Sequence, residues 1–276
     1  MALPVGLADD LRAGLNTVEN LIIPRRLALY AGTVNAMADY GVLHGMVFPA
    51  LMFPAAILFS LAELLVPEFS RCDAGGRTPR IRYLVRRGLR VSLLFSLGAA
   101  GVLFAGADAL GELLYHNRAV GPALRLYAPL VPLLYTDAIV DAICKGLGQQ
   151  NANVRYNIFT TLLDVVFLWV LLPRLGMGGY YFSFALSHLV NFALSLRRLL
   201  KVSEIGLSLG TPLRGALAAG AAALLARGLA LEGLAAPGLC YLALLVLGWG
   251  ALGVVDREDL QWLRSLGRQR ESGSPP

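Results

Sequence analysis

Apolar runs of about twenty residues, separated by short arginine-rich stretches, recur along the whole chain. Twenty helical residues rise about 30 Å, the thickness of a bilayer's hydrocarbon core, so each run reads as a candidate span. Eight are recognised, over residues 3–23, 40–66, 89–114, 122–145, 154–175, 178–196, 212–231 and 239–255. The second exceeds a bilayer's needs, and Pro49 and Pro54 within it predict a kink and a candidate hinge. Beyond residue 256, Leu260, Leu263 and Leu266 alternate with Arg257, Arg264 and Arg268, as in an interfacial helix.

The polar residues inside these runs are not scattered. At 100° per residue, Asp9, Arg12, Asn16, Glu19 and Asn20 share an arc about 100° wide, with Leu7, Leu11, Leu15, Val18 and Ile22 outside it. A charge at a helix centre costs about 2.5–3.5 kcal/mol in a bilayer, and each Leu, Ile or Val returns only about 0.3–0.6. Four charges against nine such residues leave the first span unfavourable alone, so it requires a wet cavity or polar neighbours. Three other spans supply them. The fourth carries Asp137, Asp141 and Lys145 at i, i+4 and i+8, with Pro129 and Pro132 earlier. The fifth carries Asn157, Thr160, Thr161 and Asp164 on one face, and the sixth adds Ser187, His188, Asn191 and Ser195. Any one stripe serves as hydrogen-bonding glue between helices, with Lys145 an alternative partner for Asp137 and Asp141. Four together predict a hydrophilic interior.

Composition fixes the class. The chain is 57% hydrophobic and 15% charged, where soluble domains carry about 25% charge, which predicts an all-α integral membrane bundle. The net charge of +6 does not indicate nucleic acid, because the arginines lie between apolar runs. With the first span running outward, seventeen Lys and Arg fall on the inner side and six on the outer, predicting cytoplasmic termini in the cell membrane. No signal peptide is expected, since the start lacks a basic region.

Cys72, Cys144 and Cys240 are widely separated, so neither a disulfide framework nor a metal site is expected. His44, His116 and His188 have no partners at metal-ligand spacing and read as helix-end or packing residues. No GxSxG, HExxH or GxxxxGK[ST] run occurs, so no enzyme and no cofactor is expected, and uphill transport would need ion or potential coupling.

Certain stretches resemble the stage V sporulation protein B-like transporters. They are Glu19-Asn20-Leu-Ile-Ile-Pro24-Arg25-Arg26-Leu27, Tyr40-Gly-Val-Leu-His-Gly-Met, Leu65-Val66-Pro67-Glu68-Phe69, Tyr127-Ala-Pro-Leu-Val-Pro, Lys145-Gly-Leu-Gly-Gln-Gln, Arg155-Tyr-Asn-Ile, Pro173-Arg174-Leu-Gly-Met-Gly-Gly-Tyr and Ser195-Leu-Arg-Arg-Leu. Those proteins are flippases for polysaccharide or lipid-linked sugar, in a superfamily with the multidrug and toxin extrusion antiporters. The resemblance implies two helical lobes that rock about a central cavity. Only the second lobe has its counterpart here, as a six-helix bundle over 1–200, followed by two further helices over 201–256 and a basic tail over 257–276. It therefore implies a partner: a first lobe or a second subunit.

The substrate expected on this basis is a lipid-linked sugar for cell-wall or spore polysaccharide. Arg12 is expected to contact its anion, while Asp9, Asn16, Glu19 and Asn20 bind hydroxyls or couple to a cation, with Asp137, Asp141, Asn157 and Asp164 lining the cavity. Two other functions compete: cation-coupled export of amphipathic cations, favoured by the surplus of acids, and a non-transporting assembly partner.

Overall fold

The computed structural model describes residues 14–15, 17–19, 21–30, 35–206, 210–229 and 235–254. Those residues are helical and show no strand. Asp9, Arg12, Asn16 and Asn20, and the tail from residue 255, lie outside them.

The first helix, α1, includes residues 21–27 and the described helical positions at 14–15 and 17–19, and it buries Ile23 and Leu27. Next comes α2 (Ala36–Val42), which passes through a π-helical turn (Leu43–Val47) into α3 (Phe48–Met52) and α4 (Ala55–Ala74). The axis bends by 59° between Ala36–Met52 and Ala55–Ala74. Proline explains the site: Pro54 has no N–H and stands as the residue before α4, and the turn around it is closed by long bonds, Ala56 N to Phe53 O and Ile57 N to Pro54 O, both 3.4 Å. Buried Tyr135 donates its hydroxyl to the Leu51 carbonyl, bracing the bend from another helix.

Helix α5 (Thr78–Ala105) has 28 residues, about 42 Å, longer than a bilayer core is thick. It begins eleven residues before the expected span. The run Arg80, Arg82, Arg86, Arg87 and Arg90 continues the helix because arginine is a good helix former whose stem can lie along apolar surface. Gly106 ends it, and α6 (Ala107–Tyr115) follows. Helix α7 (Val120–Tyr127), a 3-10 turn (Ala128–Leu130) and α8 (Val131–Gly146) form one continuous stretch. Then come α9 (Gln150–Leu175), α10 (Met177–Ser203), α11 (Gly210–Gly228) and α12 (Ala235–Ala251).

Helix α8 is the axis of the bundle. It packs on α4, α5 and α10, and its Val131, Tyr135, Ile139, Val140, Ile143 and Cys144 are fully buried. Gly146 lets α4 come close: a Cβ there would lie 2.6 Å from the Phe69 Cβ and 2.8 Å from the Val66 carbonyl oxygen. The α11–α12 hairpin packs on α5, where Tyr241 covers Gly101 and donates to the Leu97 carbonyl at 2.8 Å.

Among the described residues three helical stretches are long and apolar enough to cross a membrane, Thr78–Ala105, Val120–Gly146 and Gln150–Leu175. The bent pair from Ala36 to Ala74 makes a fourth if it acts as one span. Large apolar side chains such as Phe53, Leu64, Phe159, Trp169, Leu224 and Leu247 stand on the outside of the bundle, as lipid-facing residues do. Helix α10 has the length of a span, but its buried face is Ser183, Ser187, Asn191 and Ser195.

Candidate functional site

Glu19 of α1 and the polar stripes of α8, α9 and α10 meet in one seam. At its upper end the Glu19 carboxyl lies within hydrogen-bond reach of the Asp164 carboxyl. Two carboxyls bond to one another only when one carries a proton; otherwise their charges repel unless a cation lies between them. Asp164 is 8% exposed, and wholly buried Ser183 donates to its Oδ1. The positions follow from periodicity: α9 turns Asp164 toward α10 together with Thr160, Leu168 and Leu172, and α10 turns the four-residue repeat Ser183–Ser187–Asn191–Ser195 back toward it.

Aromatic rings close this end. His44, held by the π-helical turn, shares a 2.9 Å hydrogen bond with the Tyr180 hydroxyl, and Tyr40 packs on both rings. Phe48, Tyr127 and Phe184 extend the cluster, and His188 lies on Phe184 at 4.1 Å between ring centroids.

The lower end is built of amide–carboxylate pairs. Asn191 of α10 donates to Asp137 at 3.0 Å, and Asn153 of α9 donates to Asp141 at 2.8 Å. Arg198 donates twice to the Gln149 side chain, at 2.9 and 2.6 Å. These bonds tie α8 to both neighbouring helices. The buried hydroxyl of Ser195 has no partner among the described residues.

Of the site residues expected from sequence, Glu19 and Asp164 come together, and Asp137 and Asp141 each meet an asparagine from another helix. Asn157 donates instead to the carbonyl of Asn153 in its own helix, and Thr160 and Thr161 likewise bond back by one turn. Pro49 and Pro54 lie at the bend. Sequence reading missed Ser183, Asn153, Tyr40 and Tyr180. Ser183 and Asn153 extend by one turn the stripes that begin at Ser187 and Asn157, so spacing alone could have found them.

Beside the seam, α1 is fastened to α9. Pro173 has no N–H, so the carbonyl four residues earlier, that of Trp169, lacks its usual helical donor. Arg26 supplies two donors at 3.0 and 2.7 Å, and its guanidinium lies 4.0 Å from the centroid of the Trp169 ring.

No family model matches the chain, and no solved structure matches it. Two curated proteins of Bacillus subtilis (strain 168) do. Stage V sporulation protein B is 26% identical over 161 residues, which are 58% of this chain and 31% of that protein. Sporulation protein YkvU is 24% identical over 161 residues, again 58% of this chain and 36% of that protein. The chain thus spans about a third of the length of the curated relatives it matches. The resemblance read from Glu19-Asn20 onward is borne out at this level: the chain is a homologue of stage V sporulation protein B and of sporulation protein YkvU.

Proposed function

We propose that this chain is one lobe of an alternating-access transporter that moves a lipid-linked sugar across the cell membrane. The observation that carries it is the contact of the Glu19 and Asp164 carboxyls in the seam, beside Ser183 and a wall of aromatic rings. Ionisable groups inside membrane helices are costly and are kept where they bind substrate or ions. The pair takes up a proton or a monovalent cation and releases it as the helices move, coupling an ion gradient to transport. Sugars suit the rest of the wall, since hydroxyls pair with carboxylates and amides while ring faces stack on Tyr40 and Tyr180.

In this scheme the polypeptide crosses the membrane eight times with both ends in the cytoplasm. Residues 1–200 form the lobe, 201–256 add two helices, and a partner lobe closes the cavity. Arg12, Asp9, Asn16 and Asn20 lie outside the described residues; in this scheme Arg12 contacts the substrate's anion and the other three bind its hydroxyls or a coupling cation. The chain performs no chemical conversion and needs no cofactor. The names of the sporulation relatives suggest a spore-envelope precursor as cargo.

Membrane vesicles from cells making the protein together with its partner lobe, loaded with a fluorescent lipid-linked sugar, provide the test. Glu19→Gln and Asp164→Asn should each cut translocation about tenfold or more, a loss of roughly 1.4 kcal/mol or more in transition-state stabilisation. Unchanged rates in both variants overturn the assignment. The acidic, aromatic upper end also favours a second function, export of amphipathic cations. Proton-driven efflux of a cationic dye, with no sugar-lipid movement, selects it. Neither activity, with stable co-purification of a polysaccharide synthase, selects an assembly role.

A further inference from the structure

The lower end of the seam holds more acceptors than donors. Asn191 and Asn153 donate their N–H groups to Asp137 and Asp141, so each amide turns its carbonyl oxygen elsewhere. Neither oxygen meets a donor among the described residues, and the two asparagines are only 6% and 4% exposed. Ser195 is the third case. On the same helix Ser187 and Ser203 return their hydroxyls to carbonyls of the preceding turn, those of Phe184 and Leu199. The wholly buried hydroxyl of Ser195 makes no such bond, and it belongs to the face that α10 turns into the seam.

These oxygens converge. Asn191 meets Asp137 and Arg198 meets Gln149, so α10 runs in the same direction as α8. Ser195, one turn after Asn191, is therefore level with Asp141, which Asn153 joins from α9. Two carboxylates, two amide oxygens and a hydroxyl thus come from three helices within about one turn, roughly 6 Å of helix rise. A buried acceptor without a donor costs free energy, and a cation satisfies several at once. The all-oxygen set suits a hard ion. Arg198 acts on the Cys144 thiol together with both carboxylates, and Lys145 is exposed, so the local charge is close to a single negative. That matches a monovalent ion better than a divalent one. Size narrows the choice: water does not reach the three orphaned oxygens, and sodium is smaller than a water molecule whereas potassium is as large. Asp137 and Asp141 are half-buried, which leaves the carboxylate side open for entry.

We propose that Asp137, Asp141, Asn153, Asn191 and Ser195 bind one dehydrated sodium ion, which pins α8, α9 and α10 to each other at the lower end of the seam. The site is separate from the Glu19–Asp164 contact, because Asp164 lies eleven residues, about 16 Å, along α9 from Asn153. It rests on the geometry of three helices and not on transport. Binding is read without translocation, so a failed flipping assay leaves it standing, and absent sodium binding at the lower end leaves the upper carboxyl pair untouched.

The experiment takes the full chain, purified in mild detergent with choline chloride in place of sodium, and titrates it with radioactive sodium, counting bound ion by scintillation proximity. One saturable sodium per chain is expected, displaced by unlabelled sodium and not by an equal concentration of potassium. Asp141→Asn should abolish it, Ser195→Ala should weaken it about tenfold, and Ser195→Thr, which keeps the hydroxyl, should bind like the unsubstituted chain. Asp164→Asn should leave it in place. Binding that is lost in Asp164→Asn but kept in Asp141→Asn moves the ion to the upper carboxyl pair and overturns the proposal. Equal displacement by potassium, or Ser195→Ala binding as tightly as Ser195→Thr, overturns it too. No saturable binding at all gives the oxygens to a shared carboxyl proton and has the same consequence.

Discussion

Thr136 and Asp137 are neighbours in sequence, yet they belong to regions built on opposite principles. Asp137 looks into the seam, where it accepts from Asn191, whereas Thr136 belongs to the wall of a groove of about 590 Å³ between α5, α8, α10 and the start of α11, its buried hydroxyl without a partner among the described residues. In the seam, side chains from three helices answer one another: Ser183 to Asp164, Asn191 to Asp137, Asn153 to Asp141. In the groove the wall is mostly hydrocarbon, from Leu93, Leu97, Leu133, Phe192 and Leu196, and Arg90 at its end donates to the Val254 carbonyl. Directed hydrogen bonds fix helices in one register, while an apolar wall holds them by packing alone.

That contrast can be broken at several points. The largest effect is expected from Asp164→Asn. Translocation in vesicles should fall by about an order of magnitude while the protein still purifies as a folded species, because an amide keeps the hydrogen bonding but cannot carry the exchangeable proton. Asn191→Leu comes next. It removes the tie from α10 to Asp137, and interhelical hydrogen bonds in membranes contribute about 0.6 kcal/mol on average and about 1.7 at most, so thermal unfolding in detergent should shift down by a few degrees.

A paired measurement sharpens the difference between the regions. In delipidated protein, Ser183→Ala should lower stability by about 1 kcal/mol, whereas Thr136→Val should leave it unchanged or raise it, since an unpaired buried hydroxyl costs about 1–3 kcal/mol. If both lower it equally, the groove is as tightly satisfied as the seam and the distinction fails.

The smallest effect concerns pH. Glu68, in the last turns of α4 and outside the span expected over residues 40–66, is held below its ordinary range chiefly by its hydrogen bond from Arg80 at 2.8 Å. A depressed carboxyl pKa adds stability above the unfolded value of 4.5, and that stability disappears as pH falls through the folded value. The pair is exposed, so the midpoint of unfolding should drop only slightly between about pH 5 and pH 3. Glu68→Gln should remove that slope. A slope that persists arises from carboxyls elsewhere, the seam included.

How much of this is legible in the sequence depends on whether the signal is local. The stripes holding Asp137, Asp141 and Asp164 follow from spacing along single helices, and the bend at Pro54 follows from a missing N–H. The partners do not. Ser183 faces Asp164 because α9 and α10 pack at one register, which no local pattern states. Asn157 shows the converse: its spacing matches a cavity stripe, but its amide is taken up by its own helix. The arginines that open α5 suggest a loop only when charge is weighed above helix propensity. The groove is invisible in the sequence, because its wall joins faces of α5, α8, α10 and α11 that are distant along the chain. The family resemblance is legible, with Pro24-Arg25-Arg26 among the stretches that carry it, and the two sporulation relatives agree with it.

The clasp between Arg26 and Trp169 acquires its weight from leverage. A helix pinned at one point and free along its length moves least at the pin and most far from it. Glu19 lies seven residues from Arg26, roughly 10 Å along the axis, so a tilt of about 10° about the clasp carries its carboxyl on the order of 2 Å. That displacement is enough to separate a pair of groups in hydrogen-bond contact. A proline in α9, by leaving one carbonyl without its donor, thus places the pin about which the proposed transport cycle would lever Glu19 away from Asp164.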